Sequence, residues 1–176
     1  AEARDRGQLF LNLHVLDLLD DSLYDPTTAL AGIADRVTLE ITERAALDDI
    51  RDARSRIGRL RAMGFRIAVD DLGAGYAGLN SFAHLEPDVV KLDMGLVHDI
   101  HPSPTNKKLE RSIVSPTKQK LVRSMVSLCA DMGLDVVAEG VENLAEYETV
   151  LTLGCDLIQG FFLGRPGASF VEPVLP

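Results

Sequence analysis

Positive charge is scarce in this sequence. Eighteen Lys and Arg face 27 Asp and Glu, a formal net charge of −9 with a pI near 4.8. That average field repels phosphate-rich polymers and excludes general DNA or RNA binding. A small phosphate ligand stays compatible with it if divalent cations stand between carboxylates and phosphates. Cysteine is sparse too. Cys129 and Cys155 form no CxxC pair and sit in apolar stretches, so they read as reduced core thiols of a cytosolic protein. No apolar run approaches the ~20 residues of a membrane helix. An initiator Met and an apolar signal core are both missing ahead of the first strand-like run, and the chain reads as a piece of a longer polypeptide.

What is present is the balance of a globular domain. Hydrophobic residues make up 46% of 176, enough for one buried core without staples. Six short apolar runs recur: Leu9–Val15, Arg36–Thr42, Arg66–Asp71, Val89–Asp93, Asp135–Val141 and Leu157–Phe162. Most are too continuously apolar for a half-exposed antiparallel strand and suit a parallel sheet covered on both faces. Helical spacing fills the gaps. Leu47, Ile50, Ile57, Leu60 and Met63 share one face between Arg44 and Met63, with Gly64 as the stop. Lys118 to Met132 reads as a second helix whose buried stripe is Leu121, Met125, Leu128 and Met132, ending at Gly133. Asn143 is the N-cap of a third that runs to about Leu153. This alternation predicts an α/β fold with right-handed crossovers.

A local repeat interrupts the pattern. Residues 103–114 (SPTNKKLERSIV) and 115–126 (SPTKQKLVRSMV) agree at 8 of 12 positions. Two such units are too few for a solenoid and read as a tandem duplication within a βα connection. Pro102, Pro104 and Pro116 argue against one continuous helix across it.

Polar residues mark the strand ends. Asn12 lies in the first run, Glu40 and Glu43 close the second, and Asp70 and Asp71 close the third. Lys91 and Asp93 belong to the fourth, Glu139 and Glu142 to the fifth, and Gln159 to the sixth. In parallel α/β folds the carboxyl ends of the strands share one rim, which carries the active site. Asn with several carboxylates is hard oxygen chemistry, suited to Mg²⁺, Mn²⁺ or Ca²⁺. Each residue taken alone has a plainer role: Asp71 as a turn or cap, Glu142 as a helix cap, Lys91 as a solvated strand end. Independent accidents would not put such groups on every strand. The four histidines, His14, His84, His98 and His101, lack ligand spacing and read as structural or surface residues.

These motifs together resemble the EAL-domain phosphodiesterases that hydrolyse cyclic di-GMP. LFLNLH resembles the strand with that family's metal-binding Asn, and TLEITER its LEITE signature. DDLGAGYAGL is similar to its DDFGTGYSSL loop, PDVVKLD to PDxIKID, VVAEGVE to AEGVE, and IQGFFLGRP to QGYxxxxP. The matches run in family order from Asn12 to Pro166. The resemblance implies a TIM-like (β/α)8 barrel and opening of one phosphodiester of cyclic di-GMP to linear pGpG. It implies Asn12, Glu40, Asp70 and Asp71 as ligands of two Mg²⁺ or Mn²⁺ ions. Lys91, Glu139 and Asp71 would carry the catalytic roles, with Lys91 beside the attacking water. Gln159, Glu142 and Asp93 would meet the substrate, and Glu43 would anchor the loop after Asp71. A cytoplasmic homodimer, fused to sensor or GGDEF domains in its parent, is implied as well.

The sequence departs from the family in three ways. The Glu-Ala-Leu signature would precede residue 1, and six strands are visible where a barrel needs eight. One EAL-type domain, N-terminally incomplete, is therefore the expected organisation of residues 1–176. Leu72, Ala74 and Ala77-Gly78 replace Phe, Thr and Ser-Ser in the loop after Asp71. The duplication also lengthens the connection from Lys91 to Glu139. These departures keep a second reading open: a catalytically inactive receptor that binds cyclic di-GMP and signals through a partner.

Overall fold

The computed structural model describes residues 7–42, 52–73, 85–101 and 109–167, with side chains from residue 116 onward in the last of these segments. It divides into two compact units, Ala1–Val89 and Val90–Pro176.

In the first unit, strands β1 (Leu9–Asn12), β2 (Val37–Thr42) and β3 (Arg66–Leu72) pair in parallel, with β2 in the middle. Side chains alternate along each strand. Val37, Leu39 and Ile41 of β2 therefore share a face with Ile67 and Val69 of β3, which stand beside them in register. Helix α1 (Ala53–Ala62) covers that face with Ile57 and Leu60, and Leu18, Tyr24, Phe65 and Leu85 complete the core. The half of this helix predicted from Arg44, with Leu47 and Ile50, lies outside the described residues. Gly64 ends α1 at a φ of 105°, a conformation that glycine enters without a Cβ clash.

The first strand is shorter than its apolar run. It stops at Asn12 because His14 caps a 3-10 turn over Val15–Leu19. The His14 ring accepts from Leu16 N–H at Nδ1, while the His14 backbone N–H donates to the Asp17 carboxylate. Two further 3-10 turns, Asp21–Tyr24 and Ala31–Arg36, lead to β2. Tyr24 fastens this connection: its hydroxyl donates to Leu18 O at 2.7 Å, and the Arg59 guanidinium stacks 4.0 Å from its ring.

The second unit contains β4 (Val89–Leu92, whose first residue closes the first unit), α2 (Met94–Val97), α3 (Leu109–Asp131), β5 (Asp135–Ala138), α4 (Leu144–Thr152) and β6 (Leu157–Ile158). β5 and β6 pair in parallel. Asn143 caps α4 as predicted, its side chain accepting from Glu146 N–H at 3.0 Å. β5 and β6 are shorter than their apolar runs, because Gly140 turns the chain at a φ of 68° and Gly160 packs its backbone against that of Val141.

Helix α3 corrects two expectations. It starts at Leu109 rather than near Lys118, and it runs through Pro116. Pro116 is exposed, and its ring removes the N–H that would meet the carbonyl four residues earlier without ending the helix. Pro102 and Pro104 fall outside the described residues. The predicted stripe is also rotated. Val122 and Cys129 are buried and Met125 is half-buried, whereas Leu121, Leu128 and Met132 are exposed. The helix carries apolar residues on two adjacent stripes, and the one with the smaller Val122 and Cys129 packs towards β5. No helix among the described residues is long and apolar enough to cross a membrane.

Two predictions follow from this packing. Leu60→Ala should destabilise the chain by about 2–5 kcal/mol, through lost burial plus a residual cavity. Leu128→Ala, on the exposed face, should stay within about 0.5 kcal/mol, and urea denaturation of both variants measures the contrast. Both thiols are buried, and desolvation pushes Cys129 up and Cys155 up to about 11. Native protein at pH 8 should therefore react with a disulfide reagent orders of magnitude more slowly than the urea-unfolded chain, read as thiolate release.

Candidate active site

The register of the first unit gathers its predicted ligands. Asn12 stands opposite Glu40, and Thr42 opposite Asp70. Two-residue periodicity then puts the Asn12, Glu40 and Asp70 side chains on one face, away from α1 and the core. All lie at the carboxyl ends of their strands. Glu40 is buried at 6% exposure as the one charged residue of β2, and Ala68 is its small neighbour on β3. Asn12 is exposed, and Asp70 and Asp71 are half-buried. Carboxylate oxygens of Asp70 and Asp71 lie within 4.8 Å of each other. Asp71 takes a left-handed φ of 60°, rare outside glycine, while its N–H donates to Asp70 Oδ1 at 3.0 Å. That turn lets two consecutive residues, which an extended strand would point to opposite faces, bring their carboxylates together. Held strain of this kind is a feature of functional loops.

This donor set fits a hard divalent cation. Carboxylate and amide oxygens alone supply it, and two aspartates converge within the span of one ion's coordination sphere. Glu43 and the loop from Ala74 to Leu79 lie outside the described residues.

In the second unit, Lys91 Nζ lies 2.6 Å from Glu139 Oε1, with side-chain exposures of 3% and 14%. Lys91 is thus not a solvated strand end. Removing one partner from such a pair leaves a buried charge uncompensated, at a cost of about 3–5 kcal/mol. The backbone binds the same two segments, since Glu139 N–H donates to Leu92 O at 3.2 Å. Asp93 caps α2, accepting from Gly95 N–H at 2.8 Å. Glu142 is exposed, and its N–H donates to the Glu146 carboxylate at 2.9 Å. Gln159 follows β6 with its side chain exposed. Its backbone N–H donates to Ala138 O at 2.9 Å and its carbonyl accepts from Val141 N–H at 3.2 Å. Of the histidines, His14 is a cap, His98 is exposed, His101 is half-buried and His84 lies outside the described residues.

Sequence reasoning passed over Glu146, which is fully buried, and over Gly140 and Gly160. The three-residue step from a capping Asn143 to an acid was the available signal for Glu146. A Cβ on Gly140 would fall 2.5 Å from Met94 Cβ, and one on Gly160 would overlap the Val141 backbone.

Parallel strands that end in hard oxygen donors define an α/β scaffold whose donor set fits a divalent cation. Comparison with known proteins makes this specific. The EAL domain model matches residues 2–166, and the chain belongs to that family. It is 36% identical over 129 residues to Pseudomonas aeruginosa MucR, a bifunctional diguanylate cyclase/cyclic di-GMP phosphodiesterase, covering 73% of this chain and 17% of MucR. It is 35% identical over 130 residues to the probable cyclic di-GMP phosphodiesterase PdeA of Escherichia coli, covering 74% of this chain and 16% of PdeA. The chain thus spans less than a fifth of the length of these two curated relatives. Among solved structures, Klebsiella pneumoniae BlrP1 in its manganese/cy-diGMP complex aligns with a TM-score of 0.74 at 37% identity, over 90% of this chain and 39% of BlrP1. The EAL domain of Mycobacterium smegmatis DcpA aligns at the same TM-score and 31% identity, over 90% of this chain and 68% of that domain. The fold is the TIM-like α/β fold of the EAL type.

The turn that carries Gln159 supplies a test. Gly160→Ala should force the backbone away from Val141 and destabilise the chain by about 1–3 kcal/mol. A calorimetric melt measures the loss, and an unchanged Tm would contradict this packing.

Proposed function

We propose that this chain carries the reacting groups of a metal-dependent phosphodiesterase that opens cyclic di-GMP to linear pGpG. The observation that carries the reading is the pairing register that aligns Asn12, Glu40 and Asp70 on one face of parallel strands. Family membership and the names of the relatives support the substrate.

Asn12, Glu40, Asp70 and Asp71 would hold two divalent cations, Mg²⁺ or Mn²⁺. Bound there, such ions supply charge neutralisation at the scissile phosphate and ease deprotonation of the attacking water. The chain's own residues do the rest. Water oxygen joins phosphorus and gives up one proton, one P–O ester bond breaks, and the leaving alkoxide takes up one proton, so that one water is consumed overall. Lys91 is pre-oriented by Glu139, and its ammonium orients the water and shares the developing negative charge. Asp71, turned by its left-handed backbone, adds a second carboxylate where Asp70 ends the strand. Gln159, Glu142 and Asp93 would contact the dinucleotide, and Glu43 would anchor the loop after Asp71. An acidic chain needs cations for this ligand, because −9 formal charges repel its phosphates. The reading includes a cytoplasmic homodimer fused to sensor or GGDEF domains.

Incubation with cyclic di-GMP and Mg²⁺ or Mn²⁺, with pGpG resolved by chromatography, tests the proposal. Linear product is expected, and Asp70→Asn or Glu40→Gln should reduce its rate by at least about 100-fold. Binding of the dinucleotide without product would replace the enzyme by a receptor. Neither binding nor product would overturn both.

A further inference from the structure

We propose that Glu146 is a positioning residue: its buried carboxylate ties the chain leaving β4 to the chain leaving β5, and so sets the Lys91–Glu139 pair. The inference rests on the reading above, in which that pair serves the reaction.

Glu146 sits in the first turn of α4 with no exposed surface. Its Oε1 accepts from Asp99 N–H at 2.9 Å, and its Oε2 accepts from Glu142 N–H at 2.9 Å. One carboxylate therefore bridges residues 47 positions apart on one side and four on the other. A helix start alone does not call for this. Asn143 already caps α4, and an acid in the first turn helps the helix dipole equally well from the surface. Burying a carboxylate is costly unless donors satisfy both oxygens, and here the donors come from two separate loops. Asp99 needs the support, because its φ of 54° is a strained left-handed conformation.

The two loops are the ones that matter to the pair. From Lys91 the chain passes Leu92, the Asp93 cap and the single turn of α2 before reaching Asp99. From Glu139 it passes Gly140 and Val141 to Glu142. At the near end they are joined by Glu139 N–H to Leu92 O, with Met94 lying directly over Gly140. At the far end they are joined through Glu146. Lys91 and Glu139 lie at the near end of this clamp, so slack at the far end lets their segments drift apart. His98 faces the same carboxylate, Nδ1 standing 3.6 Å from Oε1, with its side chain half-exposed.

The full chain, labelled with ¹⁵N-lysine and with Lys91 assigned through Lys91→Arg, provides the test. Lys91 should show a slowly exchanging ζ-ammonium signal in the wild type, because it is buried against Glu139. Glu146→Gln keeps the shape but offers an amide where two acceptors are needed, and it should lose that signal, as should Glu146→Ala. Val150→Ala, a cavity in the same helix, controls for general destabilisation and should keep the signal at an equal or greater loss of Tm. In a hydrolysing sample, Glu146→Gln should lower kcat about tenfold with KM unchanged, the mark of misplaced reacting groups. A wild-type Lys91 signal that exchanges like a surface lysine would overturn the proposal. So would a signal retained in Glu146→Gln, or lost equally in Val150→Ala. Loss confined to the Glu146 variants, in a chain whose wild type hydrolyses nothing, would leave the positioning role standing and remove only the catalytic reading.

Discussion

Burying a carboxylate is costly unless a cation or several N–H donors meet it, and both units carry buried carboxylates under that constraint. In the second unit Lys91 meets Glu139, and two backbone amides meet Glu146. The first unit buries Glu40 on its middle strand and brings Asp70 and Asp71 together near the end of the neighbouring strand β3. Apolar packing alone would favour filling these places with hydrocarbon, and removing charges from protein interiors is often stabilising. Polar groups in these places are therefore explained by the contacts they make and the chemistry they offer rather than by apolar packing.

Backbone geometry serves the same end. Asp71 and Asp99 take left-handed conformations without being glycine, one beside a predicted ligand and the other held by a buried carboxylate. Gly140 and Gly160 work in the opposite sense. They remove a Cβ so that Met94 and Val141 can approach, which keeps the exits of β5 and β6 compact. Left-handed residues thus stand near the end of β3 (Asp71), before α1 (Asp52) and on either side of β4 (Glu86 and Asp99), while the close approaches at Gly140 and Gly160 follow β5 and β6.

Much of this was legible from residue types and spacing. Continuous Val and Ile runs announced parallel strands, and Asn12, Glu40 and Asp70 fell at their ends in the order of a known family. Periodicity misled on α3, because Leu121, Leu128 and Met132 form as regular a stripe as Val122, Met125 and Cys129 do. Which stripe faces inward depends on how closely the helix can approach β5, and a helical wheel carries no such information. Pro116 misled as well, since the helix runs on through it at the loss of one backbone hydrogen bond. The apolar runs overshot the strands at Val15, Val141 and Phe162, where caps and backbone contacts, rather than hydropathy, ended the pairing.

The sequence by itself determined which chemistry was available, because residue type sets which atoms are present: oxygen donors and a lysine at strand ends, and no CxxC thiol pair. It determined the order of elements as well, because strand and helix periods are local properties. Only the tertiary structure decided the partners. Register put Asn12 beside Glu40, folding closed Lys91 on Glu139, and Glu146 reached Asp99 across 47 residues of chain. Those pairings are long-range, and no local pattern encodes a distance between residues that meet only when the chain has folded.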